Sequence, residues 1–353
     1  MDVLHTTKDL YDWALSKGDP RVEAWPLMES PVPVLTLVAL YLVMVYHGPR
    51  VMVQQKPVSL NSVLVVYNLG LVGLSAYMFY EFLVTSVQAG YSLRCQPVNY
   101  SNDPLALRMA SVCWWYFFSK IIEFLDTTFF ILRKKNEQIT FLHVYHHSTM
   151  PLNWWLGVKF VAGGQAWFLA MLNCFVHILM YTYYGLSALG PHMQKYLWWK
   201  RYLTILQLSQ FFAVILHTGY NMTTDCDFPI GFNYAVFIYA ITLVLLFSNF
   251  FMHTYTSKED QHTQVKGRPT HTITIAKHSY DNSKEELNTV TITKHTNDNS
   301  KEELNTVTIT KHTYDNSKEE LNTATIAKHS YDNSKGELNT LTITQRESLT
   351  QLR

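Results

Sequence analysis

The sequence predicts an all-α polytopic membrane protein with seven transmembrane helices and a disordered C-terminal tail. Three observations carry this reading. Seven stretches reach the roughly 20 mostly apolar residues that a helix needs to cross a bilayer. Basic residues divide unequally between the two alternating sets of connecting loops. The composition changes sharply near residue 270. With 353 residues, 48% hydrophobic, and a formal net charge of +1, the chain offers no electrostatic reason to bind nucleic acid.

Residues 1–32 read as an N-terminal segment on the lumenal side. It opens "MDVLHTTKDLYDW", with no basic region followed by an apolar run, so no cleaved signal peptide is expected. The seven-helix domain occupies 33–255. Its spans fall at 33–53, 60–84, 108–132, 139–158, 165–187, 200–221 and 232–254. The fourth is the weakest, because "FLHVYHHSTM" dilutes it with histidine. Short connections make the helices one compact bundle.

The loops set the direction. One set, with the C-terminal flank, holds Arg50, Lys56, Arg133, Lys134, Lys135, Lys195, Lys200, Arg201, Lys258, Lys266 and Arg268. The other holds Lys8, Lys17, Arg21, Arg94, Arg108 and Lys159. Eleven against six makes the first set cytosolic, so the N-terminus is lumenal and the C-terminus cytosolic. The sequons at Asn99 and Asn221 then fall on the lumenal side, with Asn221 close to the membrane and Asn99 the candidate for glycosylation. Cys95 and Cys226 share that oxidising side, which predicts a disulfide. Cys113 and Cys174 read as small packing residues.

Ionisable groups inside a bilayer are costly and need a reason. Counting from the cytosolic helix ends at about 1.5 Å per residue, His143, His146 and His147 lie roughly 6–12 Å in and Asp126 roughly 9 Å in. Glu123 and Lys120 follow on the same helix face at three-residue steps. His177 lies roughly 15 Å deep and Gln207 and Gln210 roughly 10–15 Å, while Tyr181 and Tyr184 are nearer the surface. Four helices therefore bring polar groups to one depth. Plainer readings exist for each: a Lys120–Glu123 structural pair, interhelical bonding by the glutamines, a tyrosine belt. They fit the histidines least, because residues at i, i+3 and i+4 share one helix face.

HxxHH occurs in membrane di-iron desaturases and hydroxylases, which need several histidine boxes. Outside the trio the spans hold only His47, His177, His217 and His253, and no second HxxHH or HxxxH box precedes the tail. No metal is expected. The other use is imidazole as nucleophile or acid–base. With no GxSxG motif and no obvious active cysteine, histidine is the best nucleophile available. A non-catalytic seven-helix receptor or carrier is the third class, and it would not need these groups at one depth.

The elements "KIIEFLDTTFFILRKK", "QITFLHVYHH", "NCFVHILMYTYY" and "TILQLSQ", in this order and spacing, resemble the ELO-type fatty acid elongases. HVYHH in place of HWYHH is similar to the polyunsaturated and very-long-chain branch. The resemblance implies a seven-helix protein in which six helices form a barrel around an acyl-chain tunnel. It implies condensation of acyl-CoA with malonyl-CoA, releasing CoA and carbon dioxide, with no cofactor. It also implies residence in the endoplasmic reticulum membrane, beside membrane lipid and the other enzymes of the elongation cycle, and a homo- or hetero-oligomer. It puts the active histidine at His146 and its partner at His177, with His143 and His147 orienting them. Glu123 and Asp126 join the catalytic set, and Asn173, Gln207 and Tyr181 hold the thioester oxygen or the malonyl group. Lys120, Gln138, Gln210, Lys134, Lys135 and Arg201 are candidates for substrate binding, the last three for CoA phosphates.

The tail, 256–353, departs from that pattern. Residues 272–339 are four copies of a 17-residue unit such as "TVTITKHTYDNSKEELN". Each joins a Thr/Ile alternation to a polar half with little to bury. Disorder is the first expectation and a marginal β-repeat the alternative.

Overall fold

The computed structural model describes residues 2–256 and, after them, 270–281, 284–297, 302–315, 318–330, 332–333, 336–337 and 340–349. The chain divides into two compact units, Met1–Tyr255 and Thr256–Arg353. Lys258, Lys266 and Arg268, used above to orient the chain, lie outside the described residues.

The first unit is helical. Its α-helices are α1 (Asp2–Ser16), α2 (Val32–Met52), α3 (Asn61–Gln88), α4 (Pro104–Ile122), α5 (Phe124–Leu132), α6 (Phe141–Val161), α7 (Ala166–Ala188), α8 (Lys200–Met222) and α9 (Ile230–Phe251). Local chemistry fixes several starts. Asp103 accepts from the Leu105 and Ala106 amides ahead of Pro104, an N-cap with proline at the first helical position. Thr140 accepts from the His143 amide, so the histidine motif opens α6. The helix α1 was not expected within the N-terminal segment.

Among the described residues, five helices are long and apolar enough to cross a membrane: Val32–Met52, Asn61–Gln88, Ala166–Ala188, Lys200–Met222 and Ile230–Thr254. The other two expected spans differ for reasons visible in the structure. α6 spans 21 residues, but its histidines and Asn153 lower its apolar character. The stretch 108–132, expected as one helix, breaks at Glu123 into α4 and α5. The Tyr67 hydroxyl donates to the Ile122 carbonyl at the break (3.4 Å), and the Glu123 side chain is held by two partners described below. Tertiary contacts thus replace the helical bonds lost there.

Six helices touch in a closed circuit: α3, α4, α6, α9, α8, α7 and back to α3, with α2 outside it against α5 and α6. Phe82, Tyr116, Phe117, Trp154, Trp155 and Trp167 dominate the main buried cluster. Between α6 and α9 two hydroxyl pairs bridge the seam, Tyr145–Thr242 (3.4 Å) and Thr149–Tyr239 (2.9 Å).

α6 runs between the two ends of the bundle, from the histidines to the connections around the Cys95–Cys226 disulfide. At that disulfide end the N-terminal segment is clamped. Arg21 donates to the carbonyls of Asn99 (2.5 Å), Ala106 (3.3 Å) and Ala162 (3.2 Å) while paired with Asp19. The indoles of Trp114 and Trp155 donate to the carbonyls of Pro26 and Leu27. Asn99 is exposed, whereas Asn221 is 2% exposed with its amide bonded to Gln165 and to the His217 carbonyl. That leaves Asn99 the better sequon.

In the second unit the described residues form strands, so of the two expectations for the tail they follow the β-repeat. Thr270–Asp281, Lys284–Asn297, Glu302–Asp315, Lys318–Ser330 and Thr340–Leu349 lie in that order in one antiparallel sheet. The register keeps the repeat in step: Ile273 is opposite Ile292, which is opposite Val307, which is opposite Ile326.

Candidate active site

The histidines stand on the first two turns of α6, which faces α4 on one side and α9 on the other. The His143 and His147 rings lie 4.2 Å apart between centroids, and His146 and His147 lie 5.6 Å apart at right angles. His143 Nε2 and the Thr127 hydroxyl are 2.7 Å apart, and Thr127 is in turn bonded to Tyr41 (3.2 Å). That chain fixes the His143 ring and ties α6 to α5 and α2. His146 has no such tether: its Nδ1 is buried with no protein partner. Pro151, one turn after His147, has no N–H to give the His147 carbonyl, which loosens the helix beneath the motif.

A second group comes from α4, its break, and α7. Lys120 Nζ lies 2.7 Å from Glu123 Oε1, and His177 Nδ1 lies 3.4 Å from the same oxygen. All three side chains are buried. Lys120 also donates to Asn173 Oδ1 (3.4 Å), and the Tyr116 hydroxyl donates to that oxygen at 2.5 Å. Two donors on one side of the amide orient the Asn173 Nδ2 donor away from them. Asn173 and His146 line the same cavity, together with Tyr116, Gln210 and Tyr239. Its walls are otherwise mainly apolar and run along α6, α8 and α9 to Gln165, Thr218, Phe228 and Asn233 at the disulfide end. A polar end with an imidazole and an amide donor, joined to a long apolar interior, can hold an acyl chain with its carbonyl at His146.

The remaining expected residues are placed differently. Asp126 is bonded to the Tyr181 hydroxyl (3.0 Å), one step beyond the Glu123 group, because the helix break separates the two carboxylates. Gln207 donates to the Met180 sulfur at 3.6 Å and does not line the cavity, whereas Gln210 does. Lys134 donates to the Val53 carbonyl (2.9 Å), Lys135 faces Glu137 (3.8 Å), and Gln138 is exposed in the turn Asn136–Gln138. Arg201 stacks on Phe251. None of these four lines the cavity. Tyr116 and Thr127 were missed by sequence reading. Tyr116 sits four residues before Lys120 and Thr127 four after Glu123, so helical spacing from the acidic and basic residues would have found both.

A model of the GNS1/SUR4 family matches residues 26–263. The chain is 53% identical over 252 residues to very long chain fatty acid elongase 4 of Homo sapiens, which covers 71% of this chain and 80% of the relative. It is 47% identical over 285 residues to very long chain fatty acid elongase 4 of Mus musculus, covering 80% and 91%. It is 47% identical over 254 residues to very long chain fatty acid elongase 7 of Drosophila melanogaster, covering 71% and 76%. The histidine motif, the Glu123 break and the cavity all fall within the matched region, and the chain belongs to the GNS1/SUR4 (ELO) family.

Proposed function

We propose that this chain is the condensing enzyme of fatty acid elongation, joining an acyl-CoA to malonyl-CoA with loss of carbon dioxide and CoA. The observation that carries it is the position of His146: a half-buried imidazole whose Nδ1 is buried without a partner, at the polar end of a mainly apolar cavity that Asn173 also lines. Long or very-long-chain substrates, polyunsaturated ones among them, are the reading that the relatives' names and the HVYHH motif support. No cofactor is needed beyond the two CoA substrates. We read the circuit of six helices as a barrel around the acyl chain, with α2 completing seven spans in the endoplasmic reticulum membrane. The histidine end then faces the cytosol with the C-terminus, and the disulfide end and N-terminus face the lumen.

In this reading a His146 ring nitrogen attacks the thioester carbon. The C–S bond breaks, the thiolate takes a proton as CoA leaves, and an acyl-imidazole remains. The mainly apolar lining limits water around that reactive acyl group. Malonyl-CoA then loses carbon dioxide, and the enolate carbon attacks the acyl carbon. The acyl–nitrogen bond breaks, the freed His146 nitrogen takes up a proton to restore the neutral imidazole, and 3-ketoacyl-CoA departs. Asn173 Nδ2 is the donor for the oxyanions, and His177, held by Glu123, polarises the malonyl thioester. The di-iron reading is disfavoured by the donors themselves, since His143 Nε2 is bonded to Thr127 and His177 Nδ1 faces Glu123.

The test supplies labelled acyl-CoA alone to the enzyme purified in membranes or detergent. Free CoA, with label retained on the peptide containing His146, is the expected result. No CoA until malonyl-CoA is added, with no adduct, would replace the covalent scheme by a sequential one. Absence of 3-ketoacyl-CoA with both substrates present would remove the condensing function.

A further inference from the structure

The sheet of the second unit follows one pairing rule. Its strands are β1 (Thr270–Asp281), β2 (Lys284–Asn297), β3 (Glu302–Asp315), β4 (Lys318–Ser330) and a last strand, Thr340–Leu349. Thr274 is opposite Thr291, Thr291 opposite Thr308, and Thr308 opposite Thr325. These threonines stand 17 residues apart, the length of the repeat, so each unit meets the next at the same place. The rule is also its own reverse. Ile273, before Thr274, is opposite Ile292, after Thr291; Ile275 is in turn opposite Val290. Such a rule pairs a unit with an identical unit running the other way. The last strand breaks it. Thr342 is the residue 17 after Thr325, yet Thr344 stands opposite Thr325, a slip of two residues.

Among the described residues β1 has one neighbour, β2, and is paired with it over all 12 of its residues without a bulge. It contains neither proline nor glycine. Its other edge is therefore an unblunted row of main-chain donors and acceptors, a template for a further strand. Applied to two copies of β1, the rule sets Thr274 opposite the partner's Thr274 and Ile273 opposite the partner's Ile275. Thr272 then meets Ala276, His271 meets Lys277 and Thr270 meets His278. Four of these five kinds of pair already exist between β1 and β2, as Thr274–Thr291, Ile273–Ile292, His271–Lys294 and Thr270–His295. The fifth has Ala276 where β2 has Thr293. We propose that the free edge of β1 is a homodimer interface, two copies pairing antiparallel about a two-fold axis through Thr274. The occupant is a second copy because the edge fits the repeat running in reverse, which this chain itself supplies. Such an isologous contact closes. The edges left over are the two last strands, whose slipped register no longer follows the rule, so growth stops at two. The pairing also suits anchored chains. It sets the two Thr270 ends roughly 27 Å apart, and the 13 residues 257–269 reach at most about 45 Å each. Both copies can then stay in one bilayer, where anchoring raises the effective concentration of the two edges.

The experiment adds one cysteine at a time, Thr274→Cys or Ala276→Cys, to the full-length protein in membranes and applies a mild oxidant. Directly opposed residues of an antiparallel pair have Cα atoms about 4.5–5.5 Å apart, within disulfide reach. Two copies of residue 276 lie about 13 Å out of line along the strands, beyond it. The native cysteines do not interfere, since Cys95 and Cys226 are joined and Cys113 and Cys174 are buried. Thr274→Cys should therefore give about tenfold more cross-linked dimer than Ala276→Cys. Differently tagged copies carrying Thr272→Cys and Ala276→Cys should cross-link to each other. Equal yields from Thr274→Cys and Ala276→Cys overturn the two-fold pairing, as does no dimer from Thr274→Cys. A Thr274→Cys product with the mass of this chain plus a foreign protein also overturns it. Should the added cysteine disturb the strand, wild-type protein decides. Its dimer in detergent should withstand about tenfold more dilution than protein truncated after Arg268. Equal resistance to dilution overturns the interface, and so does an open series beyond the dimer that the truncation removes.

Discussion

The Tyr116 hydroxyl, on α4, donates to Asn173 Oδ1, on α7, at 2.5 Å. Tyr116 thereby decides which face of the Asn173 amide the cavity sees. Tyr116→Phe should therefore lower kcat by roughly tenfold with little change in KM, a fraction of what loss of an oxyanion donor costs. Asn173→Ala should lower it further, by about 10²-fold or more. The two changes combined should be no worse than Asn173→Ala alone. Strictly multiplicative losses would show that Tyr116 acts elsewhere.

His146→Ala should abolish CoA release from acyl-CoA and the overall condensation alike. His177→Ala should retain partial release from acyl-CoA while losing most of the malonyl-dependent step. Separate assays of the two half-reactions check this, and equal loss in both for His177→Ala would give that residue a role in acyl transfer too.

The Lys120–Glu123 pair is buried, with side-chain exposures of 1% and 3%. Removing one partner strands the other's charge, so Glu123→Ala should destabilise the fold by about 3–5 kcal/mol. The double change Lys120→Met with Glu123→Leu should recover most of that stability but not activity. Thermal unfolding in detergent, read beside turnover, separates the two effects. Failure of the double variant to recover would mean that His177 depends on Glu123 for structure as well as chemistry.

The Cys95–Cys226 disulfide closes a separation of 131 residues. Replacing both by serine should cost about 2–4 kcal/mol, and the loss should be absent when both proteins are compared under reducing conditions. Non-reducing peptide mapping that finds both thiols free in protein from its native membrane would remove the premise.

Truncation after Arg268 removes the sheet-forming repeats and should leave turnover per folded molecule unchanged, because every residue placed in the site lies before Tyr255. Labelled malonyl-CoA incorporation in isolated membranes measures it.

Much of this arrangement was legible in the sequence because bilayer physics restricts it. A helix-length apolar stretch announces itself, and three histidines within one are too costly to be incidental. The break at Glu123 was not legible. Residues 108–132 contain no proline or glycine, and the break depends on Tyr67 and His177, partners supplied by the fold. The choice between Gln207 and Gln210 was likewise invisible. They are three residues apart on one helix, and only the position of α7 and α9 decides which of them meets the cavity. In the tail, the Thr/Ile alternation permits both a strand and an unstructured chain, and composition weighed toward the second.

The Arg21 clamp carries a consequence for the order of assembly. Arg21 is made early, yet its partners are the carbonyls of Asn99, Ala106 and Ala162. Asp19 likewise waits for the Lys159 carbonyl. During synthesis the leading segment therefore finds only part of its dock, Asn99, Ala106 and Trp114, until α6 has been inserted and brings Lys159 and Ala162. The segment around Arg21 thus completes its clamp only when chain more than a hundred residues further on has been made, and a protease acting on nascent chains would cleave it more readily before α6 is in place than afterwards.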